Sequence, residues 1–213
     1  MKPFIQNFKT VVLADGEFPF HPVPVSFLRQ ADRIICCDGA AHNLIHSAGL
    51  EPSYIVGDLD SVSDALKARY ASVLLYSSDQ ETNDLTKAVQ FCIENKWNRI
   101  TIVGATGKRE DHTLGNLSLL ADYSESADVQ LLTDYGVFLF QSGTAVYESF
   151  PGQQVSVFGL SPATLFTTHN LVYPVKNKAL TAWWQGTLNE SLSEHFTIEM
   201  TEGKALVFRE YPN

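Results

Sequence analysis

Four short clusters in this 213-residue chain carry side chains that can do chemistry. Gly57-Asp58-Leu59-Asp60-Ser61 follows the apolar run Tyr54-Ile55-Val56. Carboxylates two apart in an extended segment point to the same side, so Asp58 and Asp60 could grip one cation together. Without a cation, like charges that close are costly. The plain alternative is a solvated turn in which Asp60 or Ser61 caps the next helix. The second cluster, Asp79-Gln80-Glu81-Thr82-Asn83-Asp84, opens a stretch of helical spacing carrying Leu85, Ala88, Val89 and Cys92. Thr82 or Asn83 is the N-cap, and Asp84 falls in the first turn, where the helix dipole favours an anion. There Asp84 can serve as a third carboxylate for the same Mg2+, with Lys87 one turn further along, near enough to meet a phosphate oxygen. Mg2+ takes few carboxylates and completes its shell with water and substrate phosphate, which leaves room for a nucleotide.

The third cluster is Gly104-Ala105-Thr106-Gly107-Lys108-Arg109-Glu110-Asp111-His112. Two glycines flanking small residues between a strand and a helix let backbone N–H groups approach phosphate. This is not a Walker A loop, which needs four residues between its glycines and Ser/Thr after the Lys, nor is it the dinucleotide fingerprint. Lys108 and Arg109 bring positive charge for a polyphosphate, Arg109 with a fork suited to bidentate binding. The fourth cluster, Cys37-Asp38-Gly39-Ala40, again sets Asp and Gly at a strand-to-helix turn. His42 and His46 with Cys36 and Cys37 do not make a zinc site, because alternating strand side chains send the two cysteines to opposite faces and no fourth ligand is suitably spaced.

The elements that must position these groups follow from periodicity. Apolar, β-rich runs at Thr10 to Ala14, Arg33 to Cys37, Tyr54 to Val56, Val73 to Tyr76, Arg99 to Val103 and Val129 to Leu132 predict buried strands. Helical spacing occupies Ala40 to Ala48, Ser63 to Ala71, Asn83 to Asn95 and Asp111 to Tyr123. This alternation implies a parallel sheet covered by helices on both faces. In such sheets ligands bind outside the carboxyl ends of the strands, where all four clusters lie. After Asp134 short, partly alternating runs separated by Gly, Pro, Asn and Ser predict an all-β sandwich or small barrel, with the boundary near residues 134 to 140. Eleven of the twelve aspartates lie at or before Asp128, which directs the search for a site to the first part.

Composition narrows the partners. A net charge of -9 and no basic run longer than Lys108-Arg109 leave no cationic footprint for nucleic acid. No apolar stretch reaches the roughly 18 to 20 residues that span a bilayer, and Met1-Lys2-Pro3 does not open a secretory signal, so a non-exported, cytoplasmic protein without a membrane partner is expected. Three cysteines, two of them adjacent, suit reduced thiols.

The four clusters, in this order and at these spacings, resemble the thiamin pyrophosphokinase family. The resemblance implies an N-terminal parallel-sheet, Rossmann-like α/β/α domain over residues 1–135, binding nucleotide and catalysing, then a C-terminal all-β sandwich over 136–213 that binds thiamin and forms a homodimer. It implies transfer of the terminal pyrophosphoryl unit of ATP to the thiamin hydroxyl, giving thiamin diphosphate and AMP, with Mg2+ as cofactor. By position, Asp58, Asp60 and Asp84 become the metal-handling acids and Gln80 a residue near thiamin. The ATP and phosphate set becomes Asp38, Gly39, Ser61, Asn83, Lys87, Gly104, Thr106, Gly107, Lys108, Arg109, Asp111 and His112. Asn83 stands where the family often has Thr, and its amide can still cap. Trp183-Trp184-Gln185-Gly186-Thr187-Leu188-Asn189 resembles the family's Gly-Thr-Ser-Asn segment near thiamin, with Leu188 in place of Ser; Trp183, Trp184, Thr187 and Asn189 are its candidate contacts. A Mg2+-dependent nucleotide phosphohydrolase and a non-catalytic nucleotide or thiamin sensor are the alternatives, and AMP formed only when thiamin is present separates all three.

Overall fold

The computed structural model describes residues 1–212, which divide into two compact units: Phe8–Asp134, and Met1–Asn7 together with the chain from Tyr135 onward. In the first, β1 (Thr10–Leu13), β2 (Arg33–Cys37), β3 (Tyr54–Gly57), β4 (Leu74–Tyr76), β5 (Arg99–Val103) and β6 (Asp128–Leu132) lie in the order β6-β5-β1-β2-β3-β4. Every neighbouring pair is parallel. Val12, paired with Ile35 on one side and Ile102 on the other, is wholly buried, as are both partners. That is why these runs are continuously apolar: helices cover a parallel sheet on both faces, leaving no polar side.

The chain builds outward from β1 to β4, then returns over the sheet through α4 (Asp84–Glu94), which packs on β1, β2 and β3, to lay β5 on the other side of β1. The strand order therefore reverses at β1, and a crevice opens above the carboxyl ends of β1 and its neighbours. Helices α3 (Asp64–Arg69) and α5 (Glu110–Tyr123) fall within the spans predicted from spacing to within a residue, and Asn83 and Ser63 cap α4 and α3 through side-chain oxygens that accept from Thr86 and Leu66 N–H. Periodicity passes over α1 (Pro22–Gln30), whose prolines occupy the first turn, where no N–H is required. The helix expected over Ala40 to Ala48 is α2 (Ala40–Asn43) followed by a π turn, Leu44–Ala48, ended by Gly49 at φ 65°.

The second unit holds two antiparallel runs of paired strands, in the orders β12-β9-β14-β7 and β11-β10-β13-β8. Their strands are β7 (Gly136–Gln141), β8 (Ala145–Glu148), β9 (Gln154–Gly159), β10 (Leu165–His169), β11 (Lys178–Ala179), β12 (Asn189–Glu190), β13 (His195–Met200) and β14 (Ala205–Glu210). Alternating burial on β8, β9 and β10 gives each an apolar and a polar face. Arg209 on β14 is fully buried; its guanidinium donates to Glu148 O (2.8 Å), Pro3 O (2.9 Å) and Phe4 O (2.7 Å) and lies over the rings of Phe4 and Tyr147. Burial pulls its pKa down to about 10, which still leaves it charged at neutral pH. Lys2 N–H donates to Val146 O (2.7 Å) and accepts through its own carbonyl from Glu148 N–H (2.9 Å). Residues 1–7, assigned to the first domain from the sequence, thus pack with the later strands. After Ala179 the strand gives way to a 3-10 segment, Trp183–Gly186, closed where Gln185 Oε1 accepts from Ala182 N–H at 3.1 Å. Among the described residues no helix is long and apolar enough to cross a membrane.

Candidate active site

Three carboxylates meet where β2, β3 and α4 converge. Asp38 follows β2, Asp58 follows β3 and Asp84 opens α4, and each offers an oxygen within 4.8 Å of the other two. Gly57 makes this approach possible: a Cβ there would sit 3.0 Å from Asp38 Cβ and 3.2 Å from Asp84 Cγ. Asp38 itself adopts φ 40°, a left-handed conformation that Asp tolerates better than most residues. Asp60, expected beside Asp58 in the metal set, is not one of the three acids whose oxygens meet within 4.8 Å, although it lines the same cleft and its carboxylate interacts with Asp38 and Asp58. Leu59 takes φ 62° and buries its side chain, so the segment is a turn rather than extended, and the alternation rule does not apply. Asp60 instead accepts from Ser61 Oγ at 2.9 Å while its N–H donates to Asp58 Oδ1 at 3.2 Å.

The cluster is electrostatically incomplete. Asp38 is 5 % exposed; its Oδ2 accepts from Ser61 N–H at 3.2 Å, whereas Oδ1 is buried with no hydrogen-bond partner among the described residues. Burial pushes the Asp38 carboxyl up to about 6, the Ser61 amide pulling against it while Asp60, Asp84 and Asp58 add to the rise. Of the three acids, Asp84 alone has an ion-pair partner among the described residues, the Lys87 ammonium at 2.9 Å. Three hard oxygen donors at this separation, one of them orphaned, match the donor set of Mg2+. Lys87, expected to meet phosphate, is committed to Asp84; burial lowers its pKa, but Asp84 and the other acids outweigh this and the net shift is upward.

A cleft of about 450 Å³ extends from these acids to the loop after β5 and is lined by Asp58, Asp60, Asp84, Thr106, Lys108 and His112, among others. Asp38, Ser61, Asn83 and Arg109 also face it. The loop is fixed from below by the end of β1, where Gly16 N–H donates to Gly104 O at 2.6 Å and Glu17 N–H to Thr106 O at 2.8 Å. A Cβ on Gly16 would lie 2.3 Å from Gly104 O, and one on Gly107, at φ 93°, 2.6 Å from Glu17 Cβ, so both glycines are required by contact. Lys108 Nζ donates to Asp15 Oδ1 at 3.1 Å. Arg109 bonds Asp111 through two nitrogens (3.1 and 2.5 Å), which holds the Asp111 carboxyl down at about 2. Gly39 packs beneath the Asp15 carboxylate and Ser61.

Spacing alone missed several cleft residues, among them Asp15, Gly16 and Asn116. Asp15-Gly16 repeats the Asp-Gly strand ending of Asp38-Gly39 and was detectable on that ground. Asn116, four residues after His112 on α5, gave no signal beyond an Asn in a helix interior. Gln80 lies in an exposed loop and does not line the cleft. In the other unit, Trp184, Thr187, Leu188 and Asn189 line a separate cavity of about 290 Å³. Trp183 turns instead onto Phe158, with ring centroids 5.8 Å apart, and Asn189 holds both Tyr173 N–H and Tyr173 O.

Comparison with known proteins agrees along the chain. The thiamin pyrophosphokinase catalytic-domain model matches residues 25–131, and the thiamin pyrophosphokinase substrate-binding-domain model matches 136–208. Thiamine pyrophosphokinase 1 of Oryza sativa subsp. japonica is 28% identical over 174 residues, covering 74% of this chain and 65% of the rice protein. Thiamin pyrophosphokinase 1 of Caenorhabditis elegans is 26% identical, again over 65% of its own length, so the chain spans about two thirds of these relatives. Among solved structures, thiamin pyrophosphokinase from Candida albicans superposes with a TM-score of 0.81 at 20% identity, covering all of this chain and 92% of that one. The Bacillus subtilis enzyme gives 0.78 at 21% identity, covering 96% and 100%. At such identities the superpositions speak for the fold, but the two family models together take in most of the sequence, and the chain belongs to the thiamin pyrophosphokinase family.

Proposed function

We propose that this chain transfers pyrophosphate from ATP to the hydroxyl of thiamin, releasing AMP and thiamin diphosphate. The observation that carries the reading is the meeting of Asp38, Asp58 and Asp84 at the edge of a glycine-walled cleft where the strand order reverses. The parallel unit acts as a Rossmann-like α/β/α nucleotide-binding and catalytic domain, and the antiparallel unit as a β-sandwich that binds thiamin and mediates a homodimer in the cytoplasm. Support for the second role comes from the cavity beside Trp184, whose exposed ring can stack on a cationic heterocycle. Exposed Tyr173, Leu188 and Leu192 supply apolar surface for a second copy.

In the reaction the thiamin hydroxyl oxygen forms a bond to the β-phosphorus as the bond from that phosphorus to the α–β bridging oxygen breaks. AMP departs with that oxygen, and the hydroxyl proton leaves to solvent through the open cleft. Such a transfer depends on in-line placement and charge neutralisation more than on covalent help. Asp38, Asp58 and Asp84 would hold Mg2+, which when bound neutralises phosphate charge. Asp60 stands beside them and orders Ser61. Backbone amides of residues 105–107, with Lys108 and Arg109, cradle the phosphate chain, which requires Lys108 to exchange Asp15 for a phosphate oxygen. His112 closes the far wall.

The test is AMP production by purified protein with ATP and Mg2+, with and without thiamin. AMP that appears only with thiamin supports the transfer. Phosphate or pyrophosphate released without an acceptor identifies a phosphohydrolase, and nucleotide binding without turnover identifies a sensor.

A further inference from the structure

Three separate pieces of the cleft are joined by a single hydrogen-bonded relay. Asn116 Nδ2 on α5 donates to Ala105 O in the glycine loop at 2.9 Å. Asn116 Oδ1 accepts from Asn83 Nδ2 at 3.3 Å, and Asn83 Oδ1 accepts from Thr86 N–H at 2.9 Å. The direction of the relay is dictated at both ends by backbone groups that cannot reverse. The Thr86 amide can only donate, so Asn83 must present its oxygen inward and its NH2 outward. The Ala105 carbonyl can only accept, so Asn116 must aim its NH2 at the loop and its oxygen at Asn83. Each amide therefore has one allowed orientation, and with both amides so placed both ends are satisfied.

We propose that Asn116 is a positioning residue that couples the glycine loop to the first turn of α4, fixing the phosphate cradle relative to the Asp84 carboxylate. Both amides line the cleft. Asn83 also caps the helix whose first residue is Asp84, so a displacement of the cap displaces a member of the acid cluster. The loop, conversely, is held by backbone bonds to β1 on one side and by Asn116 on the other. Without the relay the two parts that must meet the same polyphosphate, loop amides and carboxylate, lose their side-chain link. A misplacement of ~1 Å between such parts can cost on the order of a hundredfold in rate.

This inference rests on ATP being the ligand of the cleft, and the experiment separates the two. Binding of a non-hydrolysable ATP analogue with Mg2+ is measured by calorimetry, alongside KM for ATP and for thiamin, on wild type, Asn116→Ala, Asn83→Ser and the double variant. Serine keeps a capping oxygen at 83, but its hydroxyl ends one bond short of the Asn83 amide nitrogen and, while capping, does not reach Asn116 Oδ1. Asn116→Ala is expected to weaken analogue binding and raise the ATP KM about tenfold, with the thiamin KM within about twofold of wild type. Asn83→Ser should do the same to a lesser degree at unchanged melting temperature. The double variant should be no worse than Asn116→Ala, because the second change removes a link already broken. Additive losses, or analogue affinity unchanged in Asn83→Ser, would overturn the relay. A wild type that binds the analogue tightly but forms no thiamin-dependent AMP would overturn the proposed reaction and leave the relay to be judged on affinity alone; a wild type that does not bind the analogue overturns both.

Discussion

Lys87 donates to Asp84 at 2.9 Å from a side chain only 8% exposed, so the acid cluster carries its own internal cation. Removing one member of a buried pair leaves the other uncompensated, at about 3–5 kcal/mol when both are fully buried and about half that here, since Asp84 is a third exposed. Lys87→Met should therefore lower the melting temperature by several degrees. Mg2+ should restore much of the loss by replacing the missing positive charge. Thermal unfolding of wild type and variant with and without Mg2+ checks this; a deficit that is the same in both buffers would contradict it.

Asp38 and Asp60 should differ in effect although both flank the same cleft. Asp38 belongs to the three-acid cluster and Asp60 does not, so Asp38→Asn should cut kcat by at least a hundredfold, roughly the scale of losing one electrostatic contact to the transition state. Asp60→Asn should cost about tenfold or less on the same scale. Relief of carboxylate crowding should also make Asp38→Asn more heat-stable than wild type in EDTA. Equal kinetic losses at the two positions would return Asp60 to the metal set.

Gly16→Ala places a methyl 2.3 Å from Gly104 O and 2.5 Å from Thr106 O, against backbone that cannot swing aside. The glycine loop must shift, and the ATP KM should rise about tenfold or more while the thiamin KM holds. Steady-state kinetics with each substrate varied in turn decide it; equal changes in both KM values would point to general loosening.

Cys36, Cys37 and Cys92 are free and buried. Burial pushes all three thiols up, Cys92 to about 12, and Cys36 adds to the rise at Cys37. Thiolate is the reactive form, so a disulfide reagent at pH 8.5 should modify none of the three in the native protein and all three in guanidinium chloride. Because the folded pKa values lie above the unfolded value of about 8.5, the neutral thiols stabilise the fold fully below that pH and lose this contribution as pH rises toward 12. The urea midpoint should accordingly fall between pH 8 and pH 10.5. Native labelling at stoichiometric levels would show that these sites open far more readily than their packing implies.

Much of the parallel unit was legible because its strands are buried on both faces: Thr10–Leu13 and Arg99–Val103 can hardly be anything but central strands. Asp58 and Asp84 were legible from their place at a strand end and a helix start. Asp60 was legible as a cleft residue, but the turn that sets it apart from Asp58 was not, because the positive φ of Leu59 leaves no mark in composition. Asp38 was seen as part of a phosphate turn, but its meeting with Asp58 and Asp84 was not, since its approach to Asp84 depends on the missing side chain of Gly57, a contact between residues far apart in sequence. Asn116 was invisible for the same reason: its partners, Ala105 and Asn83, come from other turns. The 3-10 turn at Trp183–Gly186 was not legible either, since it packs against β9 only because Gly186, whose Cβ would fall 2.0 Å from Val157 O, has no side chain.

The fully buried Arg209 gathers the carbonyls of Pro3 and Phe4, so residues near the two ends of the sequence complete the same unit while Phe8–Asp134 forms an uninterrupted stretch between them. On the ribosome, the parallel unit has all its strands as soon as Asp134 has cleared the exit tunnel. The first seven residues must wait for some of the last to be made before they find their partners. An affinity tag or truncation at the amino terminus is therefore a change to the late-assembling part of the molecule, although in sequence it borders the part that carries the acids.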